Sequence, residues 1–159
     1  MRRRGRNLGG CLLVVALFVA AIILLAAWMR PYFRSAMCLG NINQVNLAVR
    51  MYAQDNDERL PPYSRWMDKA EAYTRNWSVF RCPAVPDPEG FGYCLNNESS
   101  RLTSIRHRES YPLVFDTSDL SRDAFGRYAA KLASPARHPG GCNWVGYADG
   151  HAKQVCEKR

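Results

Sequence analysis

The stretch "CLLVVALFVAAIILLAAWM", Cys11 to Met29, contains nineteen residues and no charge. As an α-helix it extends about 28 Å, close to the hydrocarbon thickness of a bilayer. A secretory signal has a shorter apolar core followed by a cleavage site of small residues, whereas the small pair Ala26 and Ala27 lies inside this run. The sequence therefore predicts an uncleaved membrane-spanning helix at 11–29, preceded by a basic segment at 1–10.

The basic residues on either side of this run indicate its orientation. Four arginines precede it, and two, Arg30 and Arg34, follow it closely. An excess of basic residues marks the cytoplasmic side of a membrane helix. Of the net charge of +8, the four N-terminal arginines account for half, and the remaining 18 basic and 14 acidic residues leave +4. This balance does not indicate nucleic-acid binding, so we expect a cytoplasmic N-terminus, a lipid bilayer as partner and an extracytoplasmic C-terminal domain.

The helix is expected to continue beyond the membrane. Apolar residues recur at helical spacing after the charge-free run. They are Leu39, Ile42, Val45, Val49 and Tyr52. Pro31 can kink a helix without ending it, whereas the polar stretch from Asp55 to Glu58 and the prolines at 61 and 62 end it. We expect 30–60 to continue the helix and to offer an apolar stripe to a domain at 61–159.

That domain is predicted to be α+β. "SRWMDKAEAY", residues 64–73, is typical of a short helix with Ser64 as its N-cap. The segment 111–119 is rich in strand-forming residues, and 119–131 suits an exposed helix or loop. Residues 82–94 hold several prolines and glycines, which predicts an irregular loop.

Six cysteines suggest an oxidising compartment. Cys11 lies in the apolar run, and the five that follow allow at most two disulfides within one chain. A Cys82–Cys94 bond would pin the loop between these residues. Cys38, where the helix leaves the membrane, is expected to be a small buried residue, with a disulfide to a partner chain as the alternative.

The C-terminal stretch "RHPGGCNWVGYADGHAK", residues 137–153, predicts a β-hairpin. Its middle alternates between two faces, and Asp149-Gly150 suits a two-residue turn. That turn would place Asn143 opposite Cys156. An extra residue in the first strand, for which Gly146 is a natural position, would bring Cys142 opposite Cys156 instead, within disulfide reach. We predict this bulge and this disulfide.

Four segments resemble bacterial prepilin-like proteins that carry a C-terminal His-x9-Asp-Gly motif. They are "CLGNINQVNLAVRMYAQDNDERLPP" with Cys38, Asn41 and Gln44, then "FRCP", "PLVFDT" and the hairpin stretch. The resemblance implies a pseudopilin-like α+β architecture, with a long N-terminal membrane helix packed on a small antiparallel sheet. It also implies a structural or interaction role in the cell envelope, without enzyme activity. The partners would be other membrane helices of a type II secretion or type IV pilus-like machine.

Two positions depart from that pattern. In such prepilins a cleavage-site Gly precedes a Glu by five residues, whereas here Gly10 is followed at that distance by Val15. Ten residues rather than nine separate His138 from Asp149. The missing Glu favours an alternative, a stand-alone anchored binding module that does not assemble.

The candidate site residues are His138, Asp149, Gly150 and His151. A catalytic or metal-binding interpretation joins the two histidines and Asp149, together with Asp116, and its enzyme form is an anchored hydrolase, although the sequence has no Gly-x-Ser-x-Gly elbow. We expect instead that Asp149 serves the turn and that His138 hydrogen-bonds a loop, with no catalytic or cofactor site.

The sequence contains two other sets of residues that could bind a metal ion. Asp116, Asp119 and Asp123 form the acidic cluster that suits calcium. The outer cysteines, which lack a Cys-x-x-Cys pair, do not indicate zinc.

Overall fold

One long helix dominates the structure. The computed structural model describes residues 4–87 and 89–157, and Arg2 and Arg3 of the predicted basic segment lie outside them. Helix α1 covers Arg4–Asp55 without interruption at Pro31, and it is long and apolar enough to cross a membrane. The helices predicted at 11–29 and from 30 onward are therefore one element, which ends at Asp55 rather than at 60.

The remaining elements form a small α+β domain. The helices are α2 (Trp66–Thr74) and the single turn α3 (Tyr128–Lys131), and short 3-10 turns cover Tyr63–Arg65, Trp77–Phe80 and Leu102–Ser104. The strands are β1 (Tyr93–Asn96), β2 (Pro112–Asp116), β3 (Phe125–Gly126), β4 (Cys142–Tyr147) and β5 (Ala152–Cys156). They form one sheet in the order β3-β1-β2-β4-β5. The short pair β1–β3 is parallel, and the other pairs are antiparallel, so the sheet is mostly rather than wholly antiparallel.

The start of α2 differs from the prediction. Ser64 lies in a 3-10 turn, and the residue at the N-cap is Arg65, which makes no side-chain capping bond. Instead, Asp123 Oδ1 accepts a hydrogen bond of 2.7 Å from the main-chain N–H of Met67. A carboxylate distant in the sequence therefore satisfies a free N–H of the first turn of α2, which no local pattern indicates.

The core lies between α1 and the sheet. Ile42, Val45 and Val49 of the predicted stripe are fully buried, together with Cys38 and Ala53 on the same side. Burial of each such branched side chain contributes about 1.5–3 kcal/mol. A smaller apolar cluster covers the other face of the sheet. The same helix therefore contains the apolar segment long enough to cross a membrane and forms one layer of the domain.

The hairpin has a different register mechanism from the one predicted. Cys142 lies opposite Cys156, and the pairing runs without a bulge up to Gly146 opposite Ala152. The register is set by a three-residue connection, residues 148–150, in which Gly150 has φ 111° and its N–H bonds to Tyr147 O at 2.9 Å. The predicted bulge at Gly146 is thus wrong, and a register shift occurs instead between β2 and β4, at Pro112–Val114.

Gly146 has a different role, because it lets α1 approach β4. Asn46, fully buried on α1, donates a hydrogen bond of 2.9 Å from Nδ2 to Tyr147 O. A Cβ at Gly146 would lie 3.1 Å from Cγ of Asn46. Since Asn46 is fixed by the helix and by this bond, a larger residue at 146 would force the two layers apart.

We predict that Gly146→Ala destabilises the protein by about 1–3 kcal/mol, the usual cost of overpacking. Gly40→Ala is the matched control, because a Cβ at Gly40 meets nothing within 4 Å and Gly is a poor helix former. It should stabilise α1 by about 0.5–1 kcal/mol. Chemical unfolding of the full-length protein in detergent micelles measures both, and equal effects of the two variants would contradict the close approach.

Candidate functional site

A tight turn places His138 at the start of β4. The main chains of His138 and Cys142 hydrogen-bond each other in both directions, at 2.9 and 3.3 Å. Gly140 and Gly141 between them have φ angles of 83° and 70°, which other residues rarely adopt. The letters "HPGGC" therefore encode a turn that directs the His138 side chain into the protein.

The partner of His138 is Asp116, the last residue of β2. Asp116 Oδ2 lies 2.9 Å from His138 Nε2 and accepts a hydrogen bond of 2.6 Å from the Trp144 N–H. Both side chains of the His–Asp pair have 0% exposure. Because a buried carboxylate is costly unless it is paired and hydrogen-bonded, these contacts hold Asp116 in place. Neither side chain is exposed to solvent in this arrangement.

Arg137 completes the surroundings of this carboxylate. Its Nη1 lies 3.6 Å from Asp116 Oδ1. The guanidinium also donates to the main-chain carbonyls of Gly92 and Thr117. Arg137 therefore ties the loops before β1 and after β2 to the turn that carries His138. Both acceptors are main-chain oxygens, so no sequence pattern could have revealed them.

Asp149 and His151 lie elsewhere, in the exposed connection between β4 and β5. Asp149 Oδ1 accepts a hydrogen bond from the His151 N–H at 3.1 Å and lies 2.7 Å from its Nδ1. The His151 ring stacks on Tyr147 with centroids 4.5 Å apart. Desolvation acts to raise the pKa of Asp149, but the bonds from His151 outweigh it and leave this pKa below its usual value. The proposed His138–Asp149–His151 set is thus not brought together, because the two histidines have different aspartate partners.

The disulfides also correct one prediction. Cys142 is bonded to Cys156, as proposed, whereas Cys82 is bonded to Cys38 and not to Cys94. Cys94 is a buried free thiol, and burial raises its pKa to about 12. One signal favoured Cys38 as the partner: it lies four residues before Ile42 on the buried side of α1, so it faces the domain.

The Cys38–Cys82 bond lies beside the His–Asp pair. Cys82 Sγ is 3.9 Å from His138 Nε2. Among residues 4–87 and 89–157, Cys38, Cys82 and His138 are the one group of three possible metal donors whose atoms lie within 4.8 Å of one another. Zinc binds cysteine as thiolate, and here the two sulfurs are bonded to each other. In its disulfide form this group joins α1 to the domain and does not offer a metal site.

The three carboxylates considered for calcium do not converge. Asp116 is committed to His138, and Asp123 to the main chain of Met67. Asp119 accepts bonds from Ser121 and from Lys131 Nζ, the latter at 2.9 Å. The hydrogen bonds from Ser121 and Lys131 lower the pKa of Asp119. Each carboxylate therefore has its own partner.

Comparisons with protein-family models, curated proteins and solved structures give no match to this chain.

The buried and exposed His–Asp pairs provide a matched test. We predict that Asp116→Ala destabilises the protein by about 3–5 kcal/mol, because it leaves His138 and the Trp144 N–H without their acceptor and Arg137 without its ion-pair partner. Asp149→Ala should cost at most about 1 kcal/mol, since its pair with His151 is exposed. Chemical unfolding in detergent, followed by tryptophan fluorescence, measures both. Similar losses for the two variants would show that Asp116 is not held as described.

We predict that only two of the six cysteines react with iodoacetamide when the unreduced chain is unfolded, namely Cys11 and Cys94. In the folded protein Cys94 should stay unmodified, because a pKa of about 12 leaves roughly one thiol in ten thousand ionised near pH 8. Peptide mapping without reductant should recover Cys38 linked to Cys82. A Cys82–Cys94 peptide would restore the connectivity expected from the sequence.

Proposed function

We propose that the protein is a membrane-anchored, pseudopilin-like structural or interaction protein of the bacterial cell envelope, which acts by lateral association of α1 and not by chemistry. The observation that carries the proposal is the uncharged side that α1 presents above the membrane segment, away from its own domain, where Met37, Leu47 and Met51 are exposed beside Asn43 and Gln44. The N-terminal arginines favour a cytoplasmic start, and the two disulfides are consistent with an oxidising compartment for the domain.

The exposed side of α1 lacks the charges expected of a helix in water. Between residues 35 and 54 the one charged residue is Arg50, and it is half-buried beside Gly150. Met37, Leu47 and Met51 are 59%, 54% and 39% exposed. A solvated helix face normally carries charged and polar residues, and exposed apolar patches mark interaction sites. We infer that another helix covers this face.

The spacing of the face fits a parallel helix. Positions 33, 37, 40, 44, 47 and 51 alternate steps of four and three, the pattern of a helix–helix seam. They are occupied by Phe33, Met37, Gly40, Gln44, Leu47 and Met51. Copies of one chain inserted in one membrane share the same direction, so their α1 helices are parallel and at the same height. A second copy, or a related pilin-like helix, fits this arrangement.

The domain is rigidly attached to α1, which suits a structural role. The Cys38–Cys82 disulfide joins the helix covalently to the loop before β1. Near it, Asn41 Nδ2 donates to Arg81 O at 2.9 Å, and Trp144 Nε1 donates to Ser35 Oγ at 3.0 Å. Because these contacts begin only a few residues above the apolar run, packing of the helices would also set the orientation of the domains.

A second candidate is the stand-alone anchored module, and Val15 favours it. In pilin assembly, the Glu at that place neutralises the α-amino group of a neighbouring subunit inside the apolar bundle, where an unpaired charge is costly. With Val15, that compensation is missing. The two candidates differ in whether α1 contacts another copy in the membrane.

We predict that Leu47→Cys, in a Cys11→Ser background, forms a disulfide-linked dimer when the protein is reconstituted in bilayers and treated with a mild oxidant. Lys69→Cys, exposed on α2 and outside the proposed seam, is the control and should stay monomeric. Non-reducing electrophoresis distinguishes the species. If Leu47→Cys is no more cross-linked than Lys69→Cys, the assembly proposal is wrong and the stand-alone module is favoured.

A further inference from the structure

A basic cleft lies where α1 meets the base of the domain. It has a volume of about 270 Å³ and is lined by Arg30, Pro31, Arg34, Ala84, Arg137 and Pro139. This lining includes no acidic residue. The neighbouring cleft shares Arg34 but contains Asp87, so the first cleft is the more favourable one for an anion.

The cleft is located at the height of the lipid headgroups. Arg34 follows the last residue of the apolar run, Met29, by five positions, or about 7.5 Å along the helix axis. The headgroup region extends roughly 5–8 Å beyond the hydrocarbon on each side. Trp28 and Tyr32, at the same height on another side of α1, are exposed with ring centroids 5.7 Å apart. Tryptophan and tyrosine concentrate at this interface, which supports the same placement independently.

The arginines of the cleft have different tasks. Within residues 4–87 and 89–157, neither Arg30 nor Arg34 forms an ion pair, and both are exposed. Arg137 is held by Gly92 O, Thr117 O and Asp116, whose carboxylate compensates its charge, so it forms a fixed wall of the cleft. Guanidinium groups bind phosphate through paired N–H donors. Arg30 and Arg34 can therefore supply these donors, while Ala84 and the two prolines form an apolar surface next to them.

We propose that this cleft binds the phosphate of an anionic phospholipid headgroup from the leaflet that faces the domain. The proposal rests on the membrane anchorage in the proposed function, but not on lateral association of α1. An anionic headgroup such as phosphatidylglycerol places no cation near the arginines, whereas the choline of phosphatidylcholine would be repelled by them. The bound lipid would fix the depth of the domain at the bilayer surface. It would also neutralise the positive charge of Arg30 and Arg34, which lie on the other side of the membrane from the N-terminal arginines.

The test uses the full-length protein in nanodiscs that contain phosphatidylcholine with or without phosphatidylglycerol, and native mass spectrometry to measure which lipid the released protein retains. The wild type should retain phosphatidylglycerol preferentially. Arg34→Gln should lower this preference about ten-fold, the effect of one lost charge-assisted interaction, and Arg34→Lys should fall between the two. Arg106→Gln is the matched control: Arg106 is an exposed arginine in the segment that contacts Glu58, beyond the C-terminal end of α1, and its loss should change nothing.

Each outcome has a distinct meaning. Equal lipid retention by wild type and Arg34→Gln, or an equal loss with Arg106→Gln, would overturn the lipid site. Displacement of phosphatidylglycerol by inorganic phosphate alone would assign the cleft to free phosphate and would also overturn it. Flotation of the same variants with liposomes serves as the separate readout of anchorage. Loss of flotation would contradict the proposed function, whereas flotation without lipid preference would contradict this inference alone.

Discussion

Burial of one side of α1 against the sheet is the constraint on which the structure depends. Five short strands cannot enclose a core on their own, so the helix must form the second layer of the domain. The same helix passes through the apolar run, where charges are excluded, and then presents Ile42, Val45 and Val49 at full burial. A single continuous element thus has an exposed apolar segment, long enough to cross a membrane, at one end and forms part of a protein core at the other. The Cys38–Cys82 bond and the Asn46–Tyr147 hydrogen bond follow from this arrangement, because both join α1 to the layer that covers it.

The residues of the C-terminal motif lie in the two turns at either end of strand β4. His138 belongs to the turn that enters β4 and stabilises the buried Asp116, whereas Asp149 and His151 shape the connection that leaves β4. The ten residues between His138 and Asp149 are then the three of the Gly-Gly turn (139–141), the six of strand β4 and Ala148. A motif of this composition suggests catalysis or metal binding. Here each histidine has its own aspartate, one pair buried and one exposed, and both pairs stabilise the hairpin.

Much of the fold could be predicted because it depends on local periodicity. The charge-free run, the apolar stripe on α1 and the alternation in β4 each follow from the neighbours of a residue along the chain. Two errors concern long-range partners. Ser64 was expected to cap α2, but Asp123 provides the capping contact; Cys82 was paired with the nearby Cys94, but the partner is Cys38, 44 residues away. The third error is local. A bulge in β4 and a three-residue turn both place Cys142 opposite Cys156, so the disulfide is correct although the expected bulge is absent.

The two surfaces proposed on α1 are geometrically compatible. At 100° per residue, the seam through Met37, Leu47 and Met51 is centred about 155° around the helix from the buried stripe. Arg34 lies near the edge of the domain, roughly 100° from the centre of the seam. A lipid phosphate at Arg34 and a neighbouring helix on the seam would therefore occupy different sides of α1. Because the bound lipid would hold each domain at the same depth, it would align the seams of neighbouring copies. Anchoring and association would thus reinforce each other without any contact between the two sites.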